Sequence, residues 1–175
     1  KQENQVAIKT SQTVENVQNQ SKTIADVIEK VNQSVVGISK LKDVGNTIFL
    51  EGGSSKLGLG TGVIVAENGY ILTNAHVVED ADTISVQLTD DRNYTARLVG
   101  FDEISDLAVL RIDSTDLTPA QFGDSSTLRV GDTVVAIGDP LGAAFRGTYT
   151  NGIVSAINRD VDLNGRTMTL IQTNA

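Results

Sequence analysis

The chain contains one histidine, His76, in the run Thr73-Asn74-Ala75-His76-Val77-Val78 directly after an apolar strand pattern. Small residues precede it, so its imidazole would project from a strand end into a cleft. Histidine is the side chain whose ordinary titration lies nearest neutral pH, which suits it to proton transfer. A solitary histidine is more often a structural or merely exposed residue. A base of this kind needs an orienting carboxylate. There are 22 acidic residues, and spacing alone selects none of them. Asp106 stands apart because it opens the apolar run Leu107-Ala108-Val109-Leu110. That places it at a strand edge, partly buried, where an unpaired charge is costly and an imidazole is a natural partner. The same residue also reads as the last member of a turn, Asp102-Glu103-Ile104-Ser105-Asp106. From these residues alone both readings stand.

A hydrolytic triad also needs a nucleophile. Gly123-Asp124-Ser125 sets a serine directly after glycine and aspartate, but Ser126 follows where glycine is wanted for the tight turn of a nucleophile. A turn feeding the next strand accounts for it. Ser54 and Ser55 lie in the loop Gly52-Gly53-Ser54-Ser55 and read as loop residues. With Lys56 the stretch has the wrong order for a phosphate-binding loop, and no helix follows.

The elements that must hold these residues are mostly strands. Ile24, Val27, Ile28 and Val31 recur at helical spacing, with Thr23 as cap and Asp26 as its reciprocal partner, which predicts a helix ending near Asn32. Beyond Ser34 the pattern is β: Val35–Ile38, Gly60–Val65, Tyr70–Asn74, Thr83–Leu88, Tyr94–Phe101, Leu107–Ile112, Val134–Ile137, Gly152–Asn158 and Thr167–Thr173. Asn68-Gly69 and Asn164-Gly165 are tight-hairpin signals. Ile84, Val86 and Leu88 should share one face. Pro119 and Pro140 fall between strands. Residues 1–20 hold five Gln and three Asn with no sustained apolar period, and read as a flexible polar leader or a frayed helix.

Composition narrows the function classes. No apolar run approaches the roughly 18 residues of a membrane span, and residues 1–20 are too polar for a signal peptide. The absence of cysteine excludes disulfides and thiolate metal sites, and a single histidine excludes a multi-histidine metal site. No metal or cofactor is expected. A net charge of −8 without a basic cluster argues against nucleic-acid binding.

Eight stretches in order resemble the trypsin-like serine proteases of the HtrA/DegP type. They are Gly60-Thr61-Gly62-Val63-Ile64, Gly69 through Val78, Ser105 through Leu110, Gly123-Asp124-Ser125, Leu128 through Asp132, Ala136 through Gly142, Gly152 through Ser155, and Ile171 through Ala175. The resemblance implies an all-β fold, a chymotrypsin/trypsin-like double β-barrel with a short N-terminal helix. It implies His76 as general base and Asp106 as its orienting carboxylate; the placement of both at strand ends in matching motifs predicts that they face each other across a cleft between two lobes. The lobes would span residues 21–118 and 119–175, within one protease domain over 21–175. In that family the nucleophile lies in a Gly-Asn-Ser-Gly-Gly motif, which by spacing falls about seven residues past Ala175. The second barrel is therefore expected to be incomplete and the 175-residue chain inert. The loop Gly138–Gly152, with Phe145 and Arg146, corresponds to one that helps order the catalytic site in these proteases; a plain long hairpin connection is the other reading. The resemblance further implies unfolded or damaged polypeptides as substrates, no nucleic-acid partner, a homo-trimer, and an extracytoplasmic location with a membrane anchor in the full-length protein. A protease-like module that binds peptides by strand addition without chemistry is the alternative. A purely structural all-β adhesin domain would leave His76 and Asp106 far apart.

Overall fold

The computed structural model describes residues 23–43, 55–138, 147–163 and 166–175. The elements are α1 (Ile24–Asn32), β1 (Val35–Asp43), β2 (Ser55–Ile64), β3 (Tyr70–Thr73), α2 (Ala75–Val78), β4 (Thr83–Gln87), β5 (Asn93–Asp102), β6 (Leu107–Arg111), β7 (Thr133–Gly138), β8 (Thr148–Leu163) and β9 (Arg166–Thr173). The expected leader, the tip of the Gly52-Gly53-Ser54 loop, the Asn164-Gly165 turn, and Phe145 and Arg146 lie outside the described residues.

Helix α1 forms where the periodicity places it. The Thr23 hydroxyl accepts from the Asp26 amide at 3.2 Å, and the Asp26 carboxylate accepts from the Thr23 amide at 2.7 Å. This reciprocal pair satisfies two amides that the first turn leaves without partners. Ile24 and Val27 remain exposed, and the later Ile28 and Val31 are half-buried. The C-terminal end is tied to β8, where the Tyr149 hydroxyl donates to Asn32 Oδ1.

Strands β1 to β6 close into a barrel in the order β1-β2-β3-β6-β5-β4, every pair antiparallel. Alternate residues point inward. Val36, Ile38, Ile64, Ile71, Ile84, Val86, Leu88, Leu110 and Ile112 form the core. Each such side chain contributes about 1.5–3 kcal/mol when fully buried. The alternation predicted for Ile84, Val86 and Leu88 is present. The connection at Asn68-Gly69 is a four-residue loop closed by a Val65 amide to Tyr70 carbonyl bond of 2.9 Å, longer than a two-residue turn. Gly69 takes the left-handed step, φ +94°, and a Cβ there would run into the Ile112 carbonyl.

After Ile112 the chain runs without regular structure along the barrel, where Leu117 packs on the core and the Ala120 amide donates to the Ile64 carbonyl at 2.8 Å. Strands β7, β8 and β9 then form an antiparallel sheet in the order β7-β8-β9. Among the described residues this sheet is open, with β7 and β9 as its edges. Ile153, Ile157 and Ile171 are exposed on it.

The pairing that matters for the site is β3 with β6, where Thr73 lies opposite Ala108. The antiparallel register brings the residues just after β3 and just before β6 to the same end of the barrel. His76 and Asp106 occupy those two positions.

Candidate active site

His76 does not project from the strand end itself. It sits on the helical turn α2, anchored by buried Ala75 and Val78. A four-residue turn carries no helical period, so nothing in the sequence pattern marks it. The turn leaves β3 at Thr73, whose buried hydroxyl donates to the Thr61 carbonyl at 2.7 Å. Asn74 occupies the cap position without capping the turn by its side chain. Its Nδ2 instead donates to the Asp106 carbonyl at 3.1 Å, and the Ala75 amide donates to the same carbonyl at 3.1 Å.

Asp106 reaches back with its carboxylate. Oδ1 accepts from the His76 amide at 3.0 Å, and Oδ2 meets His76 Nδ1 at 2.7 Å. One carboxylate thus grips the backbone and the ring of the same residue, fixing where the imidazole stands. An ionised carboxylate only accepts, so Nδ1 carries the proton in this contact. In the neutral ring that leaves the Nε2 lone pair free. The His76 side chain is 67% exposed and that of Asp106 37%, so the imidazole edge is open to a reactant.

The Asp106 backbone adopts φ +53°, a left-handed conformation that aspartate tolerates better than most residues. The preceding turn is built by Asp102, whose carboxylate accepts from the Ile104 amide at 3.1 Å and from the Ser105 hydroxyl at 2.7 Å. The turn reading and the partner reading of Asp106 are therefore both satisfied by one residue. The His76 backbone N–H is the chief cause holding the Asp106 carboxyl below the usual carboxylate range. Burial opposes this shift, while the ring's hydrogen bond and charge and the Ala75 amide add to it.

The expectation placed the pair across a cleft between two lobes. Both residues instead come from the first barrel, on neighbouring strands, because the β3–β6 pairing delivers them side by side. Their separation of 2.7 Å excludes the adhesin-type arrangement, which requires them far apart. Ser125 starts a 3-10 turn, Ser125–Thr127, capped by Asp124, whose carboxylate accepts from the Ser126 amide at 2.9 Å and the Ser126 hydroxyl at 2.6 Å. This is the turn expected there. Ser55 is the first residue of β2 rather than part of the loop.

Residues 60–175 match the family described as trypsin-like peptidase domain. The chain belongs to this family. Its curated relatives include Serine protease Do-like HtrA of Bacillus subtilis, 45% identical over 169 residues, covering 89% of this chain and 38% of the relative. A probable periplasmic serine endoprotease DegP-like of Rickettsia prowazekii is 39% identical over 155 residues, covering 87% of this chain and 28% of the relative. Among solved structures, the HtrA-type protease AlgW with tripeptide superposes with a TM-score of 0.75 at 37% identity, covering 87% of this chain and 46% of that one. AlgW with decapeptide gives 0.73 at 32% identity, covering 87% and 51%. The chain thus spans between about a quarter and two-fifths of the length of the two curated relatives, 28% and 38%.

Within this trypsin-like peptidase domain, the sequence marks Asn74 only as a member of a matching stretch. Its bond to the Asp106 carbonyl gives it a role that spacing alone does not reveal. Lys40 carries no such signal in the sequence either. It lies on β1, 36 residues from His76, yet its ammonium donates to the His76 carbonyl at 3.0 Å. No local pattern signals that contact, because only barrel closure creates it.

Proposed function

We propose that this chain carries the general base and the orienting carboxylate of an HtrA-type serine endopeptidase, with His76 as base and Asp106 as orienter. The observation that carries this reading is the Asp106 fork, 3.0 Å to the His76 amide and 2.7 Å to its Nδ1. With Nδ1 protonated, Nε2 accepts the hydroxyl proton of a serine as its Oγ bonds to the scissile carbonyl carbon. The imidazolium then gives that proton to the leaving amine as the C–N bond breaks. Asp106 stays ionised throughout, holding the ring and stabilising its positive charge. Water repeats the sequence on the acyl-enzyme.

The nucleophile in this reading is a serine in the sequence that follows Ala175, where the resemblance puts a Gly-Asn-Ser-Gly-Gly motif. The relatives' greater length supports this. Without that serine and its oxyanion-hole amides, the 175 residues alone do not hydrolyse peptides. Unfolded or damaged polypeptides are the substrates, which agrees with an extended chain reaching an open, solvent-facing imidazole. No nucleic acid is involved. The extracytoplasmic location, homo-trimer and membrane anchor rest on the resemblance; names such as "periplasmic" among the relatives support the first of these. The domain limits proposed are 21–118 for the helix and first barrel and 119–175 for the second, after a polar leader over 1–20.

The test is covalent labelling by a fluorophosphonate probe, which reports an activated serine. The full-length protein should label and its His76→Ala variant should not, and the 175-residue chain should stay unlabelled. An adduct mapped to any serine within residues 1–175 would overturn the assignment of the nucleophile.

A further inference from the structure

Inward positions on β1 alternate through Val36 and Ile38 and reach Lys40 at the barrel mouth. A lysine facing inward needs somewhere for its charge. Its register partner on β2 is Gly58, and the stem lies across that glycine: a Cβ there would come within 2.7 Å of Lys40 Cε and 2.8 Å of Cγ. The ammonium emerges beneath α2. It donates to the His76 carbonyl at 3.0 Å and to the Glu79 carbonyl at 2.8 Å. These are carbonyls that a short helical turn leaves without partners at its C-terminal end, where a cation is favoured. Two residues on, Lys42 ion-pairs with Asp80 at 2.8 Å, just past the same turn.

The His76 turn is therefore held at both ends. Asp106 takes its amides and Lys40 takes its carbonyls. We propose that Lys40, lying over Gly58, is a positioning residue for His76: it fixes the turn so that the ring stays in line with Asp106. This proposal rests on the reading of His76 as general base. It assigns Lys40 no contact with substrate or reacting atoms. Losing the clamp frees the turn to shift relative to Asp106, and small misplacements of a catalytic group are felt in turnover more than in binding.

The experiment uses the full-length protein with Lys40→Met, which keeps the stem and removes the donors, Lys40→Arg, which keeps donors, and Gly58→Ala, which displaces the stem. Turnover of a denatured protein substrate is measured with the low-field proton signal of His76 Nδ1, assigned by its loss in His76→Ala. Lys40→Met should lower kcat about tenfold with KM within about twofold, and broaden the Nδ1 signal at neutral pH. Lys40→Arg should restore most of both. Gly58→Ala should act in the same direction, and adding it to Lys40→Met should cost little more, since both remove one contact. Should Lys40→Met fail to fold, Gly58→Ala carries the same test. Turnover and an Nδ1 signal within about twofold of the parent in both variants would overturn the proposal. If His76→Ala stays active while Lys40→Met still loosens the ring signal, the base assignment fails and the positioning of the imidazole stands. If His76→Ala is inactive and Lys40→Met unchanged, the Lys40 proposal alone fails.

Discussion

At Asp106, main chain and side chain both accept hydrogen bonds, and both serve the turn that carries His76. The carbonyl takes the Ala75 amide and the Asn74 side chain; the carboxylate takes the His76 amide and ring. Asn at this position tolerates the same left-handed backbone but offers the ring no anion. Asp106→Asn in the full-length protein should therefore fold normally and lose roughly three to four orders of magnitude in kcat, read as turnover with circular dichroism as the control. The lowered Asp106 pKa makes a second prediction. A carboxyl whose pKa lies lower in the folded state contributes stability above its unfolded pKa and loses it as pH falls through the folded one. The gap in urea midpoint between parent and Asp106→Asn should thus shrink on acidification below the ordinary carboxylate range; a gap that is constant or grows would contradict it. The pair itself was legible in the sequence because each residue adjoins an apolar run. Among 22 carboxylates Asp106 stands out by opening an apolar run, the resemblance implies its orienting role, and only the β3–β6 register explains physically why it meets His76.

Elements were legible where apolar residues alternate against the core and illegible where they do not. Strand β1 continues five residues past Ile38, held by its pairing with β2 as far as Asp43, but Lys40 and Lys42 there break the apolar alternation that would reveal it. Strand β8 likewise outruns the apolar pattern at both ends, since most of its residues are exposed. Turn α2 is too short to show a period. The β2–β3 loop was signalled by Asn68-Gly69 but not its length. Gly69 there has a positive φ and a carbonyl where a Cβ would stand. Gly69→Ala should destabilise the protein by at least about 2 kcal/mol, seen as a lower urea midpoint with unchanged slope. A midpoint equal to the parent's would show that the loop relaxes freely.

At the scale of the molecule, the closed barrel is a rigid frame whose one end presents the His76–Asp106 pair, with three strands of a second sheet beside it. Leu110 is fully buried on β6, four residues from Asp106. Truncation by Leu110→Ala should cost about 2–5 kcal/mol in the urea midpoint. Turnover by the fraction that stays folded should fall less than in Asp106→Asn, because the frame is weakened while the pair is kept. The proposal this frame serves is His76 as the base of a serine endopeptidase. Its most direct test is kcat/KM of full-length His76→Ala against the parent on a denatured protein substrate, both folded by circular dichroism. A fall of at least about a thousandfold is expected. A folded variant within about tenfold of the parent would contradict it.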